Sequence, residues 1–257
     1  IAAASLAGLE MLKHVGIKGD VAVGHSLGEL AALHWAGHYD GQTLLDLAAM
    51  RGLAMASDAN ISGAMAAIAT DENGATRAIG TRKDIVIANL NGPRQTIVSG
   101  KYDAIHQFVA DLRALGTACT VLGVRQAFHS PAMAEVSIRL ATMLANIPFS
   151  PAQRTVISTV SGTAMPNNAD IAGYLCQQIS APVLFMDAVK YASSDIDLLI
   201  EVGPGTLLEK ITASFCDVPA ISLDVGGASF EPFLRAAAGA YILGCAPNIG
   251  RLYQNRF

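Results

Sequence analysis

The stretch Val21-Ala-Val-Gly-His-Ser-Leu-Gly-Glu-Leu-Ala-Ala-Leu33 decides how the chain is read. Val21 to Val23 have the composition of a short strand, Gly24 and Gly28 flank Ser26, and a helix-forming run starts at Ser26. The G-x-S-x-G spacing is that of a nucleophile elbow, a sharp strand-to-helix turn that lifts a serine hydroxyl out of the sheet while small neighbours let backbone pass close by. In that geometry the amides of Leu27 and Gly28 point toward an oxyanion forming on an acyl group of Ser26. A turn that merely contains a serine would show the same five residues, so the rest of the chain must decide.

At 257 residues with 52% hydrophobic content, the chain can bury a core for one large domain, or for one domain with a smaller insert. Basic residues number 17 against 21 acidic ones, with no basic block, which argues against nucleic acid as a partner. Cys119, Cys176, Cys216 and Cys245 have no paired spacing, so neither a disulfide framework nor a metal site is expected, and a reducing cytoplasm fits. No apolar run reaches the length of a membrane span and no signal peptide pattern is present, so no membrane association is expected. The first residues read as a helix entered in mid-protein, which makes the chain an expected piece of a longer one.

Outward from the elbow, helices are expected over residues 2–14 and 42–56, the latter with Leu44, Leu47, Ala48, Met55 and Arg51 on one stripe. From Gly63 the texture changes. Strands at 63–70, 84–90, 95–99 and 118–124 alternate with helices at 71–79 and 102–115, the middle strands joined by Asn91-Gly92-Pro93. That order, βαββαβ, is a ferredoxin-like unit. Past Arg125 the α/β texture returns, with a helix opened by Pro131, a strand at 155–160, helices near 171–178 and 183–191, a buried strand at 198–202 ending in Gly203-Pro204-Gly205, a helix from Thr206 and a strand near Ile221. The expected fold is therefore α/β, an α/β-hydrolase-like large subdomain (1–61 and 126–245) with an inserted ferredoxin-like subdomain (62–125) and a C-terminal linker (246–257).

A serine nucleophile needs a base. His25 adjoins Ser26, but neighbours on such a turn project in different directions. His129 stands in Gln126-Ala-Phe-His-Ser-Pro131, an apolar loop fixed by a helix-starting proline. A histidine satisfied by nearby backbone is the competing reading. Arg51 on an otherwise apolar stripe needs a counter-charge, either a protein carboxylate such as Asp46 or Glu201, or an anionic substrate gripped by its planar fork.

Gly24-His-Ser-Leu-Gly-Glu29, Met50-Arg-Gly52 with Met55, Ala127-Phe-His-Ser-Pro131 with Met133, and Glu201-Val-Gly-Pro-Gly205 together resemble malonyl-CoA:acyl carrier protein transacylases, and in particular acyltransferase domains of polyketide synthases. The resemblance runs from about residue 1 to 245. It implies that Ser26 is the nucleophile, His129 the general base and acid, Leu27 an oxyanion donor through its amide, and Arg51 the holder of the malonyl carboxylate. It further implies that the backbone carbonyl of Gln178 orients the histidine, and that Phe128, His25, Met55 and Asn89 bind substrate. The implied reaction is ping-pong, from malonyl-CoA through a seryl ester to the phosphopantetheine thiol of a carrier protein, with no permanently bound cofactor and with other synthase domains as partners. Phe128 and Leu27 resemble the malonyl-selective type, whereas Gln126 and Leu30 stand where that type usually has histidine and tyrosine. A Gly-Gln-Gly segment that gives the family a second oxyanion donor has no match in the sequence. An acyl-thioesterase using the same pair, or a catalytically impaired fragment, remains as an alternative.

Overall fold

The computed structural model describes residues 1–56 and 63–253. The chain opens with α1 (Ala2–His14), β1 (Val21–Val23), α2 (Gly28–Trp35) and α3 (Gly41–Ala56). Next come β2 (Gly63–Ile68), α4 (Glu72–Ile79), β3 (Ile85–Gly92), β4 (Gln95–Lys101), α5 (Tyr102–Ala114) and β5 (Cys119–Val121). A short 3-10 turn (Pro131–Met133) leads to α6 (Ala134–Leu144), β6 (Thr155–Ile157), α7 (Ile171–Ser180), α8 (Phe185–Ala192), β7 (Leu199–Glu201), α9 (Leu207–Thr212), β8 (Ala220–Ser222) and α10 (Glu231–Ile242). The expected boundary at 61/62 lies outside the described residues, as do residues 254–257 of the expected linker.

Local chemistry starts these elements where polar caps are available. Asp71 accepts from the Gly74 amide at 2.7 Å to open α4, and Asp170 accepts from Gly173 at 3.1 Å to open α7. Ser130 caps the 3-10 turn, with Pro131 in its first position, where a missing amide proton costs nothing.

Residues 63–121 form a four-stranded antiparallel sheet in the order β3-β4-β2-β5, with Met65 opposite Ser99 and Ile87 opposite Val98. Because side chains alternate along a strand, one face buries Ala64, Ala66, Ile68 and Val98 against Ile105, Phe108 and Leu112 of α5. The other face presents Met65, Ala88 and Ile97 to Phe128. β3 is irregular between Ile87 and Asn89, and there the Leu90 amide donates to Val183 O at 2.9 Å while the Val183 amide donates to Ala88 O at 2.8 Å. These bonds stitch the sheet to the segment just before α8.

In the rest of the chain β1 pairs in parallel with β6, and β7 in parallel with β8, as two separate two-stranded sheets among the described residues. β1 spans the expected residues, but β6 ends at Ile157 rather than at 160. The expected buried strand 198–202 is only Leu199–Glu201, and its residues are half-buried. The main core lies among α2, α3, α6 and α7, where Leu33, Leu44, Leu47, Met133, Val136, Leu144 and Ile179 are buried. α10, not anticipated, packs Phe233, Ala236, Ala237 and Ala240 against Leu12 and Val15 of the α1 region. The tail packs against the α1 region as far as Leu252: the Asn248 amide donates to Val15 O at 2.7 Å, and Ile249 and Leu252 join the same cluster. No helix among the described residues is long and apolar enough to cross a membrane.

Candidate active site

The elbow forms because β1 ends at Val23 and the chain reverses into α2 within four residues. Ser26 sits at φ +52°, in the left-handed region that costs a non-glycine residue on the order of 1–3 kcal/mol. Two hydrogen bonds hold it there, from the Gly28 amide to His25 O at 2.9 Å and from the Glu29 amide to Ser26 O at 3.0 Å. Helix α2 begins at Gly28, two residues later than expected, because Ser26 cannot be both left-handed and helical. The two flanking glycines differ. A Cβ on Gly24 would lie 2.3 Å from the Glu29 backbone, whereas one on Gly28 would meet nothing within 4 Å. The expectation that both are small for close backbone passage therefore holds at Gly24 only. The Gly28 amide, expected to face an oxyanion, is occupied by His25 O, which leaves Leu27 as the elbow's candidate donor.

His129 follows β5 in the loop before the Pro131 turn, also left-handed at φ +56°. Its own amide donates to Ile179 O at 3.2 Å, and its Nδ1 faces two carbonyls, Gln178 O at 3.2 Å and Ala181 O at 3.0 Å. Two acceptors at Nδ1 assign the proton to that nitrogen, so Nε2 carries the lone pair. Nε2 lies 2.8 Å from Ser26 Oγ. Among the described residues no carboxylate is bonded to the imidazole. Burial, followed by the charge of Arg51, pulls its pKa down to about 4 against the opposing effect of the carbonyls, so the ring is neutral at pH 7.

Arg51 is buried on the inner stripe of α3 with Leu44, Leu47 and Ala54. Neither proposed protein partner reaches it. Asp46 accepts from Gln42 at 3.0 Å, and Glu201 accepts the amides of Leu208 and Glu209 at 3.1 and 2.9 Å at the start of α9. Among the described residues Arg51 forms no ion pair; Nη2 donates to Ser26 Oγ at 3.2 Å and Nη1 is buried without a hydrogen-bond partner. Desolvation lowers its pKa to about 10, offset in part by the Glu29 charge, and it stays cationic at neutral pH.

Ser26, His129, Arg51, Leu27, His25, Met55, Asn89 and Phe128 all line one cavity of about 500 Å³ between the elbow and the inner face of the antiparallel sheet. Gln178 lies behind it, 1% exposed. His25 turns to Asn91, with Nε2 to Oδ1 at 2.8 Å, and meets the Phe185 ring edge-on at 5.1 Å. Asn91 in turn donates to Gln95 Oε1 at 3.2 Å. Gln126 donates to Met55 O and so ties the histidine loop to the end of α3.

Several contributors escaped the sequence reading. Asn91 was assigned to a turn, but β3 continues through Gly92, and Asn91 and Gln95 line the cavity from the sheet. Ala181 supplies the second carbonyl to His129, and Leu207 and Ile211 of α9 close part of the wall. No local pattern marks these residues. Glu29, by contrast, lies within the elbow motif itself. Among the described residues no cluster of His, Cys, Asp or Glu is arranged to hold a metal. A hydroxyl bonded to a neutral imidazole, beside a cation with an unused donor, can attack an acyl group that carries an anion.

Comparison with known proteins adds to this geometry. Residues 1–219 match the acyl transferase domain family. A malonyl CoA-acyl carrier protein transacylase of Synechocystis is 32% identical over 80% of this chain and 70% of its own length. The erythronolide synthase EryA2 of Saccharopolyspora erythraea is 31% identical over 91% of this chain, which spans 7% of that protein; the chain spans 3% of the Streptomyces halstedii polyketide synthase GfsA. Among solved structures, the acyltransferase domain of an iterative polyketide synthase of enediyne biosynthesis superposes with TM-score 0.92 at 34% identity, covering 100% of this chain and 68% of that one.

Proposed function

The chain belongs to the acyl transferase domain family, of the kind found in polyketide synthases and malonyl-CoA transacylases, and on that premise we propose that it transfers a malonyl group from malonyl-CoA, through an ester on Ser26, to the phosphopantetheine thiol of an acyl carrier protein in polyketide biosynthesis. The observation that carries this reading is the buried, unpartnered Nη1 of Arg51 beside the 2.8 Å Ser26–His129 contact.

Neutral His129 takes the Ser26 proton through Nε2 as Oγ attacks the thioester carbonyl, and the imidazolium is held by the Gln178 and Ala181 carbonyls at Nδ1. The Leu27 amide donates to the tetrahedral oxyanion. Collapse breaks the carbon–sulfur bond, His129 returns the proton to the departing thiolate, and the malonyl ester remains. The carrier thiol then repeats the sequence in reverse. The malonyl carboxylate takes Arg51 Nη1 and Nη2, which relieves the guanidinium of an unsatisfied donor and frees Ser26 Oγ from it. The same neutralisation removes a charge that depresses His129, so substrate makes the base stronger.

Phe128 limits room for an α-branch, while Met55, His25 and Asn89 wall the acyl and thioester end. In this reading residues 62–125 are a ferredoxin-like subdomain inserted in an α/β-hydrolase-like body of 1–61 and 126–245, the protein works in the cytoplasm, and its neighbours are the other domains of a synthase. Incubation with labelled malonyl-CoA tests the reading: the label is expected on Ser26, to vanish in Ser26→Ala, and to pass to an added carrier protein. Label that survives the substitution refutes it, and rapid release of free malonate without transfer makes the protein a hydrolase.

A further inference from the structure

Behind the elbow, on the first turn of α2, lies a carboxylate that the reaction outlined above does not use. Glu29 is 0% exposed and, among the described residues, forms no ion pair. Its Oε1 accepts from the Thr159 amide at 2.7 Å, from Thr159 Oγ1 at 2.9 Å and from the Tyr174 hydroxyl at 2.6 Å; its Oε2 accepts from Gln178 Nε2. Every partner is a donor, which is the environment of an ionised carboxylate, although burial pushes its pKa upward.

Gln178 connects this carboxylate to both reacting groups. The Nε2 that reaches Glu29 also donates to Ser26 O at 2.7 Å, and the backbone carbonyl of the same residue accepts from His129 Nδ1 at 3.2 Å. Gln178 Oε1 is buried with no partner. The amide is therefore held in one orientation by two acceptors on its nitrogen, at the expense of its oxygen; a flip would set that oxygen against Glu29 Oε2 and Ser26 O. The connection matters because Ser26 and His129 both stand in left-handed backbone, a conformation that persists only where the surroundings over-determine it.

We propose that Glu29 is a positioning residue for the serine–histidine pair: its carboxylate locks the Gln178 amide, and Gln178 thereby sets the distance between Ser26 and His129. The proposal rests on the reading of Ser26 as nucleophile and His129 as base, but not on the identity of the acyl group.

Glu29→Gln keeps the volume and replaces one acceptor oxygen by a donor nitrogen in a site where every partner is a donor. Either the Thr159 and Tyr174 donors lose their acceptor, or Gln178 rotates and releases Ser26 O. Reaction with a fluorophosphonate reads the effect without malonyl-CoA: Ser26 Oγ bonds to phosphorus, fluoride leaves, and His129 accepts the proton. Glu29→Gln is expected to lower the maximal labelling rate about 10- to 100-fold, the scale of an ångström-level misplacement, with probe affinity little changed. Gln178→Met, which keeps the backbone carbonyl, is expected to do the same, and the double variant to be no slower than either single one, because both act through one contact. Tyr39→Phe, which removes a hydroxyl bond to Leu30 O in α2, lowers the melting temperature without slowing the reaction. If Glu29→Gln fails to fold, Glu29→Asp, which withdraws the charge from Gln178 by one methylene, replaces it with the same expectation. Wild-type labelling rates in the Glu29 variant, or losses that multiply in the double variant, overturn the positioning role. A wild-type protein that is not labelled at Ser26 overturns the nucleophile reading instead.

Discussion

Arg51 Nη2 lies 3.2 Å from Ser26 Oγ, so the cation proposed to hold a carboxylate also touches the hydroxyl proposed to react. In the proposed reaction, selection of the acyl group and readiness of the nucleophile would meet at this one oxygen, 2.8 Å from His129 Nε2.

Replacing Arg51 separates its costs from its use. Arg51→Met is expected to reduce malonyl loading of Ser26 about 100-fold, the loss of a two-point charged contact, and to raise acetyl loading relative to malonyl. Stability is expected to hold or increase, because an unpaired buried donor and charge are removed. Single-turnover labelling alongside a denaturant melt checks both; a large fall in stability would show that Arg51 is structural.

The low pKa of His129 fixes a pH dependence. A histidine whose pKa is about 4 when folded and near 6.5 when unfolded stabilises the fold fully above the unfolded value; that contribution declines as pH falls toward the folded value. Between pH 7 and 5 the loss from this residue is about 2 kcal/mol. Urea midpoints at the two pH values should differ less in His129→Gln than in the wild type; an equal difference would place the titration elsewhere.

Phe128 bridges the main core and the inner face of the antiparallel sheet. Phe128→Ser is expected to raise methylmalonyl over malonyl loading about 10-fold, the discrimination that one methyl group supports in an apolar pocket, and to lower stability through the lost packing. Competition between the two thioesters measures the ratio, and an unchanged ratio removes Phe128 as the steric limit.

The elbow glycines are expected to part company. Gly24→Ala drives a methyl onto the Glu29 backbone and should prevent folding or cost more than about 3 kcal/mol. Gly28→Ala fills open space on the first turn of α2 and should be neutral or stabilising by up to about 1 kcal/mol, with labelling of Ser26 retained. Thermal melts of the two variants decide it.

What could be read in the sequence was local chemistry. The elbow, the Pro131 turn and the βαββαβ order all depend on residues a few positions apart, where periodicity and turn preference act. In α10, Phe233, Ala236, Ala237 and Ala240 recur at helical spacing behind Pro232, but alanine carries a weak hydrophobic signal, so the pattern stands out little from the sequence around it. Arg51 was recognised as needing a partner, yet both carboxylates suggested for it are engaged elsewhere.

Residue order alone marks the candidates for chemistry: a serine on a sharp turn, a histidine in an apolar loop and an arginine on an apolar stripe. How they are held follows from long-range packing. The contacts that matter join Ser26 to His129, His129 to Gln178 and Ala181, and Glu29 to Thr159, Tyr174 and Gln178. The physical reason is that a buried polar group must find its partner wherever folding brings one, and partners separated by 49 to 149 positions leave no periodicity along the chain to mark them.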